Sequence, residues 1–293
     1  MLMTAEKAKI GFIGTGVMGK SMAFNLMKKG YQVSVYTRTK AKAGELLENG
    51  AKWCDSPKEI CEEANVMITM VGYPSDVEEV YFGENGLIHH AKEGTYLIDM
   101  TTSKPALAAT IYEEAKKRGI HALDAPVSGG DIGAREGRLS IMVGGDEEDF
   151  QTVMPVFEAL GTNIVYHGKA GSGQHTKMCN QIVVATQMIG VAEAMAYAVK
   201  SGLDPEKVLK SITTGAAASW SLSNLAPKMI KGDFKPGFYI KHIIKDMDIA
   251  LEEAESMGME IPGVALASSI YKKLAEQGEE NSGTQAIFKY WDN

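Results

Sequence analysis

Short apolar segments alternate with amphipathic segments over the first half of the chain. From Ala8 to about Val165, the apolar segments KIGFIG, QVSVYT, VMITMV, YLIDM, HALDAPV, LSIMVGG and NIVYHG have the length of buried strands. The segments between them, such as GKSMAFNLMKKG and KPALAATIYEEAKKRG, have helical periodicity and end at a glycine. This alternation predicts βαβ units, with a mostly parallel sheet covered by helices.

The pattern changes after Gly168. The segment from Ala170 to Gly202 predicts one long helix, and the rest of the chain has helical periodicity without strand alternation. The late aromatic segment IFKYW is expected to dock on the protein. We therefore predict two domains, an α/β domain over residues 1–166 and an all-helical domain over residues 167–293, with the long helix crossing between them.

The apolar segment Ile182–Val199 is long enough to resemble a membrane span. Gln187, Glu193 and Tyr197 interrupt it, and its positive flanks are weak. A helix that is apolar nearly all round is also typical of one buried between two domains. We favour the buried helix over a membrane span.

Composition narrows the function classes. The 293 residues are 45% hydrophobic, enough for sizeable cores, and the net charge of −7 argues against a nucleic-acid partner. Three cysteines without a CxxC motif indicate neither a disulfide framework nor a zinc ribbon, and His89 and His90 lack further ligands at useful spacing, so we expect no metal. The first residues lack the pattern of an export signal, which favours a cytoplasmic location.

A G-x-G-x-x-G motif follows the first predicted strand and opens a helix. In this context Gly14 permits the tight turn, Gly16 lets the backbone approach a pyrophosphate, and Gly19 lets helix and strand pack closely. The alternative is a glycine-rich turn without a ligand. We expect the turn to bind a dinucleotide through Gly14, Thr15, Gly16, Val17, Met18 and Gly19.

The end of the second predicted strand indicates which dinucleotide is bound. An acidic residue that would bind a free ribose 2′-hydroxyl is missing there, and Thr37, Arg38 and Thr39 supply hydroxyls and a cation instead. A guanidinium can bind a 2′-phosphate bidentately, so NADP is favoured over NAD. Nearby lysines are also explained as a solvated basic turn.

Three later motifs are candidates for chemistry. In DAPVSGG, Ser128 and the N–H groups of Gly129 and Gly130 can hold a carboxylate, or the glycines can serve a tight loop alone. Lys177 precedes Asn180 and Gln181 by three and four residues, which places them on one helix face, although such a lysine is usually a solvated charge. Thr101 and Thr102 follow a strand at the ligand-binding end of the sheet, or cap the next helix.

The glycine turn, DMTTSKP, DAPVSGG, GSGQHTKMCNQ and the IKD at Ile244–Asp246 occur in one order along the chain. Through these motifs and their order, the sequence resembles the β-hydroxyacid dehydrogenase family over essentially its whole length. That family includes 3-hydroxyisobutyrate dehydrogenase, tartronate semialdehyde reductase and glyoxylate/succinic semialdehyde reductase. The resemblance implies a 6-phosphogluconate-dehydrogenase-like fold: a Rossmann-type domain and an all-α domain joined by a long helix, with the active site in the cleft between them. It also implies a homodimer or homotetramer.

The resemblance further implies a reaction and a set of site residues. Lys177 matches the family's catalytic lysine, which exchanges a proton with the substrate oxygen while hydride moves between the nicotinamide and a small hydroxy acid or semialdehyde. It assigns Thr101 and Lys245 to the cofactor, and assigns to the substrate Thr102, Ser128, Gly129, Gly130, Asn180, Gln181, Phe238 and Asp246. Two features depart from relatives: Gln181 stands where many have Asn, and SGTQAIF replaces an Asp-x-Ser-Ala element.

One function of another class fits the same fold. A non-catalytic NADP-binding sensor or scaffold would keep the glycine turn, but an intact Lys177 argues against it. An amphipathic surface helix also explains the charges around Lys245 and Asp246 without any ligand.

Overall fold

The computed structural model describes residues 2–291, and inter-residue contacts divide the chain into two units, Met1–Lys177 and Met178–Asn293. This division falls inside the long helix, whereas the boundary predicted from the sequence precedes that helix.

The first unit is built on two sheets. The main sheet has six parallel strands in the order β3-β2-β1-β4-β5-β6, and the small sheet has three strands in the order β7-β8-β9. The strands are β1 Lys9–Ile13, β2 Gln32–Tyr36, β3 Lys52–Trp53, β4 Val66–Thr69, β5 Tyr96–Asp99, β6 His121–Asp124, β7 Val127–Ser128, β8 Leu139–Val143 and β9 Gly161–Tyr166.

Helices connect these strands, as the alternating pattern predicts. They are α1 Val17–Lys28, α2 Gly44–Glu48, α3 Pro57–Glu63, α4 Pro74–Phe82, α5 Leu87–His90, α6 Pro105–Lys116, α7 Gly130–Glu136 and α8 Glu147–Glu158, with a 3-10 turn at Lys40–Ala43. The central strands β1, β4 and β5 are buried on both faces: Phe12 packs in one hydrophobic cluster and its neighbour Ile13 in the other. Burial on both faces explains why these strands appear as continuous apolar segments.

Two details of the sheet differ from the sequence prediction. The segment HALDAPV forms two strands in different sheets, because it breaks at Ala125 and Pro126, and proline has no N–H for a sheet ladder. β7 then pairs antiparallel with β8. The strand Lys52–Trp53 was not predicted, since two residues are too short for a recognisable pattern.

The long helix α9 covers Ser172–Lys200 and confirms the prediction of a long helix after Gly168. By length and composition it is the one helix in residues 2–291 that could cross a membrane, and 44% of its apolar window is buried. Buried core helices commonly share this length and composition, so the property alone does not indicate a membrane protein.

The regular secondary structure among the described residues of the second unit is helical, apart from one isolated bridge between Tyr239 and Gly283. Its helices after α9 are α10 Pro205–Ile212, α11 Trp220–Asn224, α12 Ala226–Ile230, α13 Ile240–Ser256 and α14 Pro262–Leu274, followed by a π-helical turn at Ala275–Glu279 and a 3-10 helix at Thr284–Tyr290. Ile287 and Phe288 are buried in the core of this unit, which confirms that the late aromatic segment docks.

Candidate active site

The glycine turn between β1 and α1 is shaped by two of its three glycines. Gly14 has a φ of +97°, and a Cβ there would lie 2.2 Å from the Met70 carbonyl oxygen. A Cβ on Gly19 would lie 1.9 Å from the Gly14 oxygen. A Cβ on Gly16, in contrast, would have no described atom within 4 Å. Packing therefore requires glycine at positions 14 and 19, while Gly16 borders open space.

That open space has the properties of an anion site. Gly16 caps α1 without a side-chain hydrogen bond, and the first turn of the helix contains no acidic residue. The amino-terminal N–H groups and the positive end of the helix dipole therefore favour a negatively charged group in this space. Thr15 is buried, and its Oγ1 has no hydrogen-bond partner among the described residues, whereas Val17 is exposed and Met18 packs on the core. A dinucleotide pyrophosphate fits this turn.

The end of β2 lies beside the turn, because the Gly14 N–H donates to the Tyr36 carbonyl over 2.9 Å. Arg38 follows, mostly exposed, and its guanidinium pairs with the Asp76 carboxylate at 2.9 Å. Asp76 also accepts the Tyr73 N–H at the start of α4. Thr37 is half-buried and Thr39 exposed. The sequence did not indicate Asp76, since it comes from a separate part of the chain.

Thr101 joins the ends of β4 and β5. Its Oγ1 accepts the Val71 N–H over 3.0 Å, and its own N–H donates to the Asp99 carboxylate over 3.0 Å. Thr101 is 1% exposed and Thr102 is half-buried. Thr101, predicted to contact the cofactor, and Thr102, predicted to contact the substrate, thus lie at the carboxyl end of the main sheet, the edge that carries the glycine turn.

Asp124, at the end of β6, holds the start of α9. Its carboxylate accepts the Gly171 N–H at 2.7 Å and the Gln174 N–H at 2.8 Å. Burial raises the pKa of this carboxyl, and the backbone N–H bonds act in the opposite direction. The first turn of α9 is therefore tied to the sheet by a side chain within the DAPVSGG motif.

Lys177 lies one turn further along α9 and is 7% exposed. Its ammonium donates to the Val127 carbonyl over 2.8 Å, which places Nζ beside Ser128. Ser128 is half-buried, and Gly129 and Gly130 are exposed. The two glycines have φ values of +131° and +63°, which favour glycine over other residues. The charge is thus buried beside a loop of small residues and is not a solvated surface group.

The other predicted side chains form a cluster of their own in the second unit. Asn180 donates to Gln181 over 2.7 Å, and Gln181 donates to the Asp246 carboxylate over 2.5 Å. The Lys245 ammonium pairs with the Asp246 carboxylate at 2.9 Å. The pKa of the neighbouring His242 is lowered, mainly because the imidazole is buried and secondly because it lies near the positive charge of Lys245. Phe238 packs partly buried against the helical core of this unit.

The first unit therefore brings together the glycine turn, the residues after β5, the loop at Ser128 and Lys177. Sequence reasoning missed Asp124 and Gln174, which fix the start of α9. Both lie inside the motifs DAPVSGG and GSGQHTKMCNQ, and the available signals were an acidic residue at the end of an apolar strand and an amide residue directly after a glycine.

Two family profiles cover almost the whole chain. The profile described as the NAD binding domain of 6-phosphogluconate dehydrogenase matches residues 9–168, and the one described as NAD-binding of NADP-dependent 3-hydroxyisobutyrate dehydrogenase matches residues 171–291. The junction between the two matches lies just ahead of α9.

Relatives and solved structures match over similar lengths. An uncharacterized oxidoreductase of Bacillus subtilis is 69% identical, over 97% of this chain and 99% of its own. The 2-hydroxy-3-oxopropionate reductase of Escherichia coli is 41% identical over 92% of each chain. The structure of Mycobacterium tuberculosis 3-hydroxyisobutyrate dehydrogenase with L-serine has a TM-score of 0.88 at 31% identity and covers 99% of both chains.

Proposed function

The chain belongs to the β-hydroxyacid dehydrogenase family, and from that premise we propose a substrate class and a role for each residue of the site. The protein is an NADP-dependent oxidoreductase of the 3-hydroxyisobutyrate dehydrogenase type. A non-catalytic sensor or scaffold is not favoured by these relatives. The proposed substrates are small hydroxy acids and the matching semialdehydes.

The buried ammonium of Lys177 carries the proposal. NADPH, when bound, supplies a hydride to a carbonyl carbon, and the oxygen then needs a proton. Lys177 holds that proton at Nζ, and the Val127 carbonyl orients the group at 2.8 Å. In the reducing direction the ammonium is already an acid, and its charge stabilises the developing alkoxide.

The residues beside Lys177 are assigned to the acid end of the substrate. Ser128 offers a hydroxyl, and the positive φ of Gly129 and Gly130 turns the chain where main-chain N–H groups can bind a carboxylate. Thr102 is assigned to the same substrate. The structure of the Mycobacterium tuberculosis relative contains L-serine, itself a small hydroxy acid, which supports this class.

The cofactor is assigned to the turn and to the end of β2. The open space at Gly16 and the N–H groups of α1 would hold the pyrophosphate, and Thr37, Arg38 and Thr39 would hold the 2′-phosphate. From the family resemblance, Thr101 and Lys245 are proposed to contact the cofactor. The same resemblance assigns Asn180, Gln181, Phe238 and Asp246 to the substrate.

The test is a screen of NADPH oxidation by the purified protein. Glyoxylate and the succinic, methylmalonic and tartronic semialdehydes are offered separately, and then each matching hydroxy acid is offered with NADP. Turnover of at least one carboxylated aldehyde, and none of an aldehyde that lacks the carboxylate, supports the proposal. Turnover that does not depend on the carboxylate, or no turnover of any acceptor, refutes it.

We further propose that the protein is cytoplasmic and forms a homodimer or homotetramer. Free thiols at Cys54, Cys61 and Cys179 are typical of a reducing compartment. Val183 and Tyr197 on α9 are large apolar side chains that are 57% and 73% exposed, as expected of a face that meets another copy. Light scattering on the eluting protein tests the assembly, and the mass of a single chain would contradict it.

A further inference from the structure

Gln174 connects α9 to the loop that follows β5. Its side chain is completely buried. Nε2 donates to the Thr101 carbonyl over 2.7 Å, and Oε1 accepts the Ser103 N–H over 3.0 Å. One amide thus satisfies a carbonyl and an N–H of the segment Thr101–Ser103, which we name the β5 loop. The amide group is used at both ends, so its orientation is set.

The backbone of Gln174 is equally constrained. Its N–H donates to the Asp124 carboxylate, and a Cβ on the preceding Gly173 would lie 2.3 Å from the Met142 carbonyl oxygen. This first turn of α9 therefore lies in close contact with the sheet. Because these contacts hold the main chain at Gln174, its side chain holds the β5 loop at a defined distance from the helix.

The β5 loop is also held on its other side, where the Val71 N–H donates to Thr101 Oγ1. Lys177 follows Gln174 by one helical turn and donates to the Val127 carbonyl. A continuous set of hydrogen bonds therefore runs from the end of β4, through the β5 loop and Gln174, to the turn of α9 that carries the ammonium.

We propose that Gln174 is a positioning residue that holds the β5 loop in register with Lys177. The inference rests on the proposed function, in which Thr101 of the loop contacts the cofactor, here taken to be at its nicotinamide, and Lys177 supplies the proton. Hydride must reach the carbonyl carbon while the proton reaches the oxygen of the same group, and a displacement of about 1 Å between the two donors can cost about 100-fold in rate. Gln174 does not contact the reacting atoms itself.

Two variants of Gln174 separate its two hydrogen bonds. Gln174→Met has a similar length and removes both. Gln174→Glu keeps an acceptor for the Ser103 N–H. When ionised, however, it replaces the donor to the Thr101 carbonyl with a negatively charged oxygen that repels the carbonyl oxygen. A protonated carboxyl restores a donor, so this variant should regain activity as the pH falls, which the Met variant should not.

The chain offers a matched control at the opposite edge of the sheet. The side-chain amide of Asn65 also connects two backbone groups, accepting the Lys9 N–H at 2.8 Å and donating to the Lys7 carbonyl at 3.0 Å. Asn65→Leu removes the same kind of contact at the amino end of β1. Asn65 is half-buried whereas Gln174 is fully buried, so the two variants are compared in loop exchange and cofactor affinity and not in stability. A purely structural role for Gln174 predicts that neither variant changes the ratio of NADPH affinity to 2′,5′-ADP affinity.

The first readout needs no cofactor. Hydrogen exchange followed by mass spectrometry should show faster exchange of the peptide that contains the β5 loop in Gln174→Met, and not in Asn65→Leu. The second readout compares affinity for NADPH with affinity for 2′,5′-ADP, which lacks the nicotinamide. The affinity of Gln174→Met for 2′,5′-ADP should lie within about 2-fold of the wild-type affinity. The ratio of NADPH affinity to 2′,5′-ADP affinity should fall at least about 5-fold, the equivalent of about 1 kcal/mol.

Turnover is the third readout, with kcat expected to fall about 10-fold to 100-fold in Gln174→Met. The inference is overturned if Gln174→Met matches Asn65→Leu in loop exchange and in the ratio of NADPH to 2′,5′-ADP affinity. A wild-type protein that binds NADPH but reduces no semialdehyde would refute the proposed function instead, and exchange and binding would still decide the role of Gln174.

Discussion

A methyl group at Gly16 should separate the folding role of the glycine turn from its binding role. Gly16 has φ of −71° and ψ of −164°, a conformation that alanine adopts, and the added Cβ would contact no described atom. The methyl group would therefore be accommodated by the free protein. It would occupy the space that we assign to the pyrophosphate.

The expected magnitudes follow from these contacts. Replacing glycine by alanine at the helix cap should lower the unfolding free energy by about 0.5–1.5 kcal/mol. Alanine also makes the unfolded chain less flexible, which should raise the unfolding free energy by about 0.4–1 kcal/mol, so the net loss is about 1 kcal/mol or less. Affinity for NADPH should fall at least 10-fold, about 1.4 kcal/mol. Gly19→Ala should behave differently, because its Cβ would lie 1.9 Å from the Gly14 oxygen and should destabilise the fold by about 1–3 kcal/mol.

Urea denaturation and NADPH fluorescence titration measure the two quantities. Gly44→Ala is the matched control, since Gly44 has helical φ and ψ and a Cβ there also meets no described atom. It should raise stability by about 0.5–1 kcal/mol and leave NADPH binding unchanged. If Gly16→Ala binds NADPH as tightly as wild type, the cofactor does not approach the backbone at this turn and the reasoning fails.

Three further substitutions test other contacts. Arg38→Ala should reduce the preference for NADPH over NADH at least 10-fold, because a charge-assisted contact contributes about 1.5 kcal/mol or more. The measurement is the ratio of kcat/KM with NADPH to kcat/KM with NADH, and an unchanged ratio would contradict the 2′-phosphate assignment. Asp124→Asn turns an amide N–H toward the backbone donors of Gly171 or Gln174, so urea denaturation should show a loss of about 1–3 kcal/mol, and a neutral effect would argue against its capping role. Asp76→Asn removes an ion pair whose Arg38 partner is 79% exposed, so the unfolding free energy should change by less than about 1 kcal/mol, and a larger loss would show that the pair stabilises the fold.

The sequence predicted the fold well wherever burial controls the pattern. β1 and β4 are buried on both faces and appear as apolar runs, and α9 appears as one long apolar helix. The errors arose where burial gives no signal. The two-residue strand β3 has no period, and the single apolar segment HALDAPV hides the break at Pro126 that sends β7 to another sheet.

The site was predicted less completely, because its geometry depends on contacts between distant residues. The glycine motif identified the turn, but only the folded chain distinguishes Gly14 and Gly19, which serve packing, from Gly16, which borders open space. The bond from Gln174 to Thr101 joins residues 73 positions apart, and no local pattern reports such a contact.

Rapid mixing of the NADPH-bound protein with a semialdehyde that it reduces tests the central claim most directly, when wild type and Lys177→Met are compared. Methionine fills the buried volume of Lys177 without a proton to donate, so the variant should bind NADPH within about 2-fold of wild type and oxidise it at least about 100-fold more slowly. NADPH oxidation at the wild-type rate in Lys177→Met would contradict the account, since the proton would then come from another group.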